Sequence, residues 1–124
     1  MKMKKIVVLG LFLVAAYTSR GQSWKDKSPE EKSRYYTRQM AEDLALDDSV
    51  ILKIFQINVA VSKKFDSLYA DKNNPNPRKG AALIYQFRNE AYREVLTTKQ
   101  YLKFEDMERE RREKRVKEKA DDKK

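Results

Sequence analysis

The 124-residue chain contains no cysteine and no histidine. The first absence removes disulfide stapling, thiol catalysis and thiolate metal sites together. The second removes the usual base at physiological pH and the commonest transition-metal ligand. Glycine and proline are scarce, 3 of each; no glycine-rich loop of the kind that cradles phosphate occurs, and no segment reads as a strand. A hydrolase built on carboxylates alone would need two acids converging on an apolar background. Here the 19 acids sit among lysines and arginines at helical spacing, the pattern of a solvated face. The sequence therefore predicts a protein that is not an enzyme, holds no metal and needs no cofactor.

Long apolar runs are missing too, apart from one short stretch at the start. Met1-Lys2-Met3-Lys4-Lys5 is a basic n-region, and Ile6 to Tyr17 is an apolar h-region of about a dozen residues. A membrane-spanning helix needs roughly 20 apolar residues, so the segment reads as an export signal, with an uncleaved anchor as the competing reading. Ser19-Arg20-Gly21 puts small residues at the −3 and −1 positions and predicts a cut before Gln22, with cleavage after Ala15 or Ala16 as the alternative. No cysteine follows the h-region, which excludes a bacterial lipoprotein anchor. Loss of residues 1–21 removes four of the 28 basic residues and no acid, so a net charge of +9 falls to +5. The mature protein is expected in the periplasm, without a stable membrane anchor. Its length fits one small domain.

What is present is helical pattern. Residues 22–27 read as a flexible leader in which Trp24 is the only large apolar group. Ser28-Pro29-Glu30-Glu31 is a helix start, with a serine cap, proline at N1 and glutamate at N3. The first helix is predicted to reach Leu44, with Tyr36, Met40 and Leu44 as its buried stripe. Asp47 recaps, and a second helix runs from Asp48 to Tyr69 or Ala70. Asp71 to Gly80 is a loop containing two prolines, a third helix covers Ala81 to Val95, and Thr97 caps a fourth. Residues 28–107 form the helical domain and 108–124 a charged helical extension. In that extension Glu108 with Arg112, Glu110 with Lys114, and Glu113 with Lys117 are spaced to pair at i,i+4, and its end, Ala120 to Lys124, is expected to fray.

Two of these helices carry apolar residues on two sides. At about 100° per residue, Val50, Ile51, Ile54, Ile57, Val61, Phe65 and Leu68 form one stripe of the second helix. Leu52, Phe55 and Val59 lie opposite, bordered by Lys53, Lys63 and Asp66. In the third helix Leu83, Ile84, Phe87, Ala91 and Val95 form one face, with Tyr85, Tyr92 and Leu96 nearly opposite. A closed four-helix bundle needs one stripe per helix. The second face is therefore expected to meet a second copy, the first helix, or other proteins through transient apolar contact. Leu52, Phe55, Val59, Tyr85 and Tyr92, with Lys53, Lys63 and Arg88, are the candidate surface for such clients or partners.

The most specific local feature is Leu96-Thr97-Thr98-Lys99-Gln100. Thr97 and Gln100 form a capping box, in which each side chain accepts from the other's backbone N–H, and Leu96 is placed to staple against Tyr101. A fainter copy lies fifty residues upstream. Leu46 aligns with Leu96, Asp47 takes the cap, and Val50 stands where the glutamine would be. Ala41 matches Ala91, Leu52 matches Leu102, Lys53 matches Lys103, Ile51 falls against Tyr101, and Ile54 falls against Phe104.

These residues resemble the Spy and CpxP family of small exported helical proteins, in which Leu-Thr-x-x-Gln occurs twice. Leu96 to Gln100 matches the second copy in full, and Leu46 to Val50 matches the first only at its leucine. The likeness covers roughly residues 30–112. It implies an all-α fold of four helices, arranged as an extended hairpin or cradle in an antiparallel homodimer. It also implies ATP-independent binding of unfolded or stressed envelope proteins, or a sensor-adaptor role in envelope stress. The histidines that metal-associated relatives use are missing, so no zinc role carries over. The leading expectation is a periplasmic holdase. The alternatives are a regulatory adaptor docking one envelope partner, or a cationic binder of polyanions through Arg109, Arg111, Arg112, Lys114 and Arg115. Nucleic acid is an improbable partner for an exported chain whose acids interleave with its bases.

Overall fold

Three of the four helices begin where a side chain satisfies backbone N–H groups that a helix start leaves without partners. The structure, a computed structural model, describes residues 24–122. The expected export signal, the expected cut before Gln22 and the last two lysines lie outside the described residues. Ser28 has extended backbone and its Oγ accepts from the Glu31 N–H at 3.2 Å, opening α1 (Pro29–Leu44) with proline in the first turn. Helix α2 (Asp48–Ala70) follows Asp47, which sits at the N-cap but makes no side-chain cap bond. Asn76 caps α3 (Pro77–Val95) by accepting from the Lys79 N–H at 3.2 Å. Helix α4 (Thr98–Asp122) starts from the Thr97 capping box. A single 3-10 turn, Trp24–Asp26, precedes α1, and there is no strand among the described residues.

Several sequence expectations need correction. Helix α3 starts at Pro77, four residues before the expected Ala81, because Asn76-Pro77 repeats the cap-then-proline signal of Ser28-Pro29. The loop before it is correspondingly short and is held by Asn73 N–H on Asp71 Oδ1 and Asn76 N–H on Asn74 Oδ1, at 3.1 and 3.0 Å. Gly80 then falls inside the first turn of α3, where a Cβ would meet the Leu68 side chain of α2. Within the segment read as a leader, Trp24 packs edge-on against both Tyr35 and Tyr36. The α4 helix persists to Asp122, past the expected fraying point.

The capping box itself forms as read. The Thr97 N–H donates to Gln100 Oε1 at 3.0 Å and the Gln100 N–H to Thr97 Oγ1 at 3.1 Å. Gln100 also donates through Nε2 to the Leu44 carbonyl at 3.4 Å, reaching an unpaired oxygen at the end of α1. The two short connections, after α1 and after α3, therefore meet at one end of the molecule. Ala45, in the left-handed conformation at φ 52°, reverses the chain there, a geometry that costs a β-carbon-bearing residue about 1 kcal/mol.

Leu46 and Leu96, one from each connection, are buried in the same core with Met40, Leu44, Ile54, Tyr92, Tyr101 and Phe104. The repeat seen in sequence thus becomes two leucine plugs and two helix starts packed together, with Ile54 and Phe104 at matching positions. Helix α2 is central and packs against α1 on one side and α3 on the other, while α4 meets α1 and α3 through its first turns. Beyond Glu108 every described α4 residue is exposed.

The stripe of α1 differs from the expected one. Ser33, Thr37, Met40 and Leu44 are buried, whereas Tyr36 is 46 % exposed. Spacings of four, three and four describe a helix face packed closely on its neighbour, but two of its members are polar and escaped an apolar count. They are paired across the helices: Asn58 Nδ2 donates to Thr37 Oγ1 at 2.9 Å, and the Ser33 and Ser62 hydroxyls lie 3.4 Å apart.

The two caps should behave differently on mutation. Thr97→Ala and Gln100→Ala are each expected to lower stability by about 0.5–2 kcal/mol, while Asp47→Ala, whose side chain caps nothing, should stay within about 0.5 kcal/mol of the parent. Urea or thermal unfolding of the three variants measures this. Equal losses at Asp47 and Thr97 would contradict the capping geometry.

Candidate functional site

Helix α2, with α1 and α3 packed on it, forms a layer. Between that layer and the extended part of α4 lies an open groove of about 1100 Å³. One wall is aromatic: Trp24, Tyr35 and Tyr36 present three mutually edge-on rings, with centroids 5.4 to 5.8 Å apart. The floor carries Asn58, Val61 and Phe65 of α2 with Tyr85, Arg88 and Tyr92 of α3. From α4, Arg111, Arg112, Lys114 and Arg115 also line the groove.

Arg88 fixes the corner where α4 leaves the core. Its guanidinium lies 4.8 Å from the Tyr85 ring centroid, 5.1 Å from Phe104 and 5.7 Å from Tyr92. Its Nη1 is 4.0 Å from Glu108 Oε1, which Arg111 Nη1 also approaches at 3.4 Å. With the Arg88 and Glu108 side chains only 16 % and 20 % exposed, this pair is less screened than the other ion pairs of the molecule, and flat contact with aromatic faces suits a guanidinium. The i,i+4 pairs expected along the extension are replaced: Glu108 turns to Arg88 and Arg111, and Arg109 pairs with Asp106 and Glu113. Among the described residues, no ion pair engages Arg112, Lys114 or Arg115.

Tyr92 sits beneath Arg88. It is 3 % exposed, its hydroxyl donates to Asn58 Oδ1, and its ring meets Phe104 edge-on at 5.0 Å. Burial pushes the hydroxyl well above the ordinary tyrosine value of 10.0, against an opposing pull from the Arg88 charge. Burial likewise raises Tyr36.

The candidate surface read from sequence is therefore split. Tyr85 and Arg88 line the groove, and Tyr92 is corrected from a surface residue to a core residue whose edge reaches the floor. Tyr92 lies between the two faces assigned to α3, and the buried side of that helix runs through Ile84, Arg88 and Tyr92. Leu52 is exposed and Phe55 and Val59 half-buried, and none of the three lines the groove. Lys53 is exposed away from it, and Lys63 approaches Glu30 of α1 at 3.9 Å. Leu46, Leu96, Asp47, Thr97 and Gln100 belong to the turn end and hold the helices in register. Sequence reasoning missed Trp24, Tyr35 and Tyr36 as residues lining the groove. The signal was present in an aromatic pair 11 and 12 residues after the leader's single tryptophan, but only the fold brings the three rings together.

Among the described residues no group of acids could hold a metal ion, and no helix is long and apolar enough to cross a membrane. Comparison with protein-family models, curated proteins and solved structures finds no match for the chain. The resemblance carried by Leu96 to Gln100 rests on those residues.

The Tyr92 burial sets a pH dependence. As pH rises, the unfolded chain loses this proton first, so the stability it contributes is complete below about pH 10 and is lost above it. Tyr92→Phe should melt lower at neutral pH, because Asn58 loses its buried donor at a cost of roughly 1–3 kcal/mol. It should also melt with a shallower decline between about pH 9 and pH 11. Melting curves across that range check both effects, and identical alkaline slopes would contradict the assignment.

Proposed function

We propose that this protein is an exported, ATP-independent holdase that binds unfolded or stressed envelope proteins in the groove between α4 and the α1–α2–α3 layer. The observation that carries the reading is a groove open to solvent with exposed aromatic rings on one wall and unpaired cations on the other. Rings such as Trp24, Tyr35 and Tyr36 offer large apolar contact at small conformational cost. The cations draw an incoming chain toward the groove through longer-range attraction. Contacts of this kind are weak and adaptable, which suits release without a nucleotide. The resemblance to the Spy and CpxP family supports the same reading, and within it export through residues 1–21 and assembly as an antiparallel homodimer belong to the proposal.

Aggregation of two unrelated client proteins, followed by light scattering without nucleotide, tests the function. Suppression of both is expected at near-equimolar protein, whereas protection of one alone would indicate a dedicated adaptor and count against a holdase. The site is tested by Tyr35→Ser beside Leu52→Ser, two exposed residues whose replacement should shift stability by no more than about 0.5–1.5 kcal/mol. Protection should weaken several-fold for Tyr35→Ser and persist for Leu52→Ser. The reverse pattern would move the site to the outer face of α2.

A further inference from the structure

A second open hollow, of about 540 Å³, lies between the C-terminal part of α2 and the N-terminal half of α3. It shares no lining residue with the groove. Lys63, Lys64 and Leu68 of α2 line it with Leu83, Ile84 and Phe87 of α3, and neither α1 nor α4 contributes to it. Sites for small ligands span roughly 300–1,000 Å³, so the hollow is large enough for one. Ile84 is buried, whereas Leu83 and Phe87 are 59 % and 39 % exposed. Gly80 also lines the hollow, and a β-carbon there would collide with Leu68. The close approach of α2 and α3 at that point brings both sets of side chains around one space.

Charge sets the kind of ligand. Lys64 Nζ lies 4.7 Å from the Phe87 ring centroid and has no ion pair among the described residues. Lys63 reaches Glu30 at 3.9 Å, between two largely exposed side chains, and such a pair is weak and readily exchanged. Asp71 is the one acid of the lining. Two ammonium groups and one carboxylate leave a single net positive charge beside an apolar surface. An anionic bilayer is drawn by clusters of about four to eight basic residues, whereas a lone surplus charge matches one monoanionic headgroup. We propose that this hollow binds a single free amphiphile, a long-chain carboxylate, with its headgroup at Lys63 and Lys64 and its chain against Leu68, Leu83 and Phe87. The site is separate from the groove and does not rest on the holdase reading.

Gly80 supplies a local reporter, because the chain has only three glycines. In magnetic resonance spectra of the full chain with isotope-labelled glycine, its amide signal is the one missing from Gly80→Ala. Decanoate below its micellar concentration should move that signal saturably. Decyltrimethylammonium, with the same chain length and the opposite charge, should bind about tenfold more weakly. Each methylene added between hexanoate and decanoate should tighten binding about threefold, somewhat less than complete burial of a methylene gives. A combined Lys63→Gln, Lys64→Gln variant should lose the charge preference, and Leu83→Ser should weaken decanoate binding several-fold. Both variants should keep the parent melting temperature, as all three side chains are exposed.

A Gly80 signal that decanoate leaves unmoved, equal affinity for the two amphiphiles, or an unchanged preference in the double-lysine variant would overturn the site. So would a signal that responds to phosphatidylglycerol vesicles and not to decanoate, which would make this face a membrane contact. A signal that shifts with protein concentration alone would also overturn it, because a second copy would then fill the hollow.

Discussion

A hydrogen-bonded chain runs from Tyr92 of α3 through Asn58 of α2 to Thr37 of α1, and the position of every other element depends on it. All three side chains are buried, where an unpaired polar group costs more than a made hydrogen bond contributes. Sliding α1 or α3 by one turn along α2 would leave a donor or acceptor stranded. Apolar packing alone tolerates such slips far better. The chain therefore fixes the register of the three-helix layer, and the close Ser33–Ser62 approach extends the same seam outward.

From that register the groove follows. Tyr92 holds Phe104 against its ring, Phe104 brings the first turns of α4 into the core, and Arg88 lies over Tyr85, Tyr92 and Phe104 with Glu108 in front of it. The capping box works from the other side, since Gln100 closes the start of α4 and reaches the Leu44 carbonyl. Between the two anchors α4 has little freedom over residues 98–108. Past Glu108 it projects as an exposed helix, and Arg111, Arg112, Lys114 and Arg115 line the same groove as Trp24, Tyr35 and Tyr36.

Much of the helical outline was legible because it rests on local chemistry. Ser28-Pro29 and Thr97 with Gln100 mark helix starts through backbone groups within one turn, and α1 and α4 begin where those residues place them; α2 begins after Asp47 as read, without a side-chain cap bond. The stripe of α1 was not legible from an apolar count, since Ser33 and Thr37 are buried by pairing with another helix. Tyr92 was misplaced for a related reason: its partner Asn58 is 34 residues away, and no local pattern shows that the hydroxyl is satisfied indoors. The groove drew its rings from the leader and α1 and its cations from α4, segments that seemed a flexible tether and a solvated tail. Only long-range contact joins them.

The central claim is that the charged part of α4 forms one wall of a groove and does not swing free. The absence of natural cysteine allows spin labels to be placed at two chosen sites, Tyr35→Cys on the aromatic wall and Arg115→Cys on α4. Pulsed electron-resonance distances between them in a protein spanning residues 22–124 should give a single narrow distribution, broadening when Glu108→Gln removes the Arg88 pair. A distribution already broad in the parent, and unchanged by Glu108→Gln, would contradict the account.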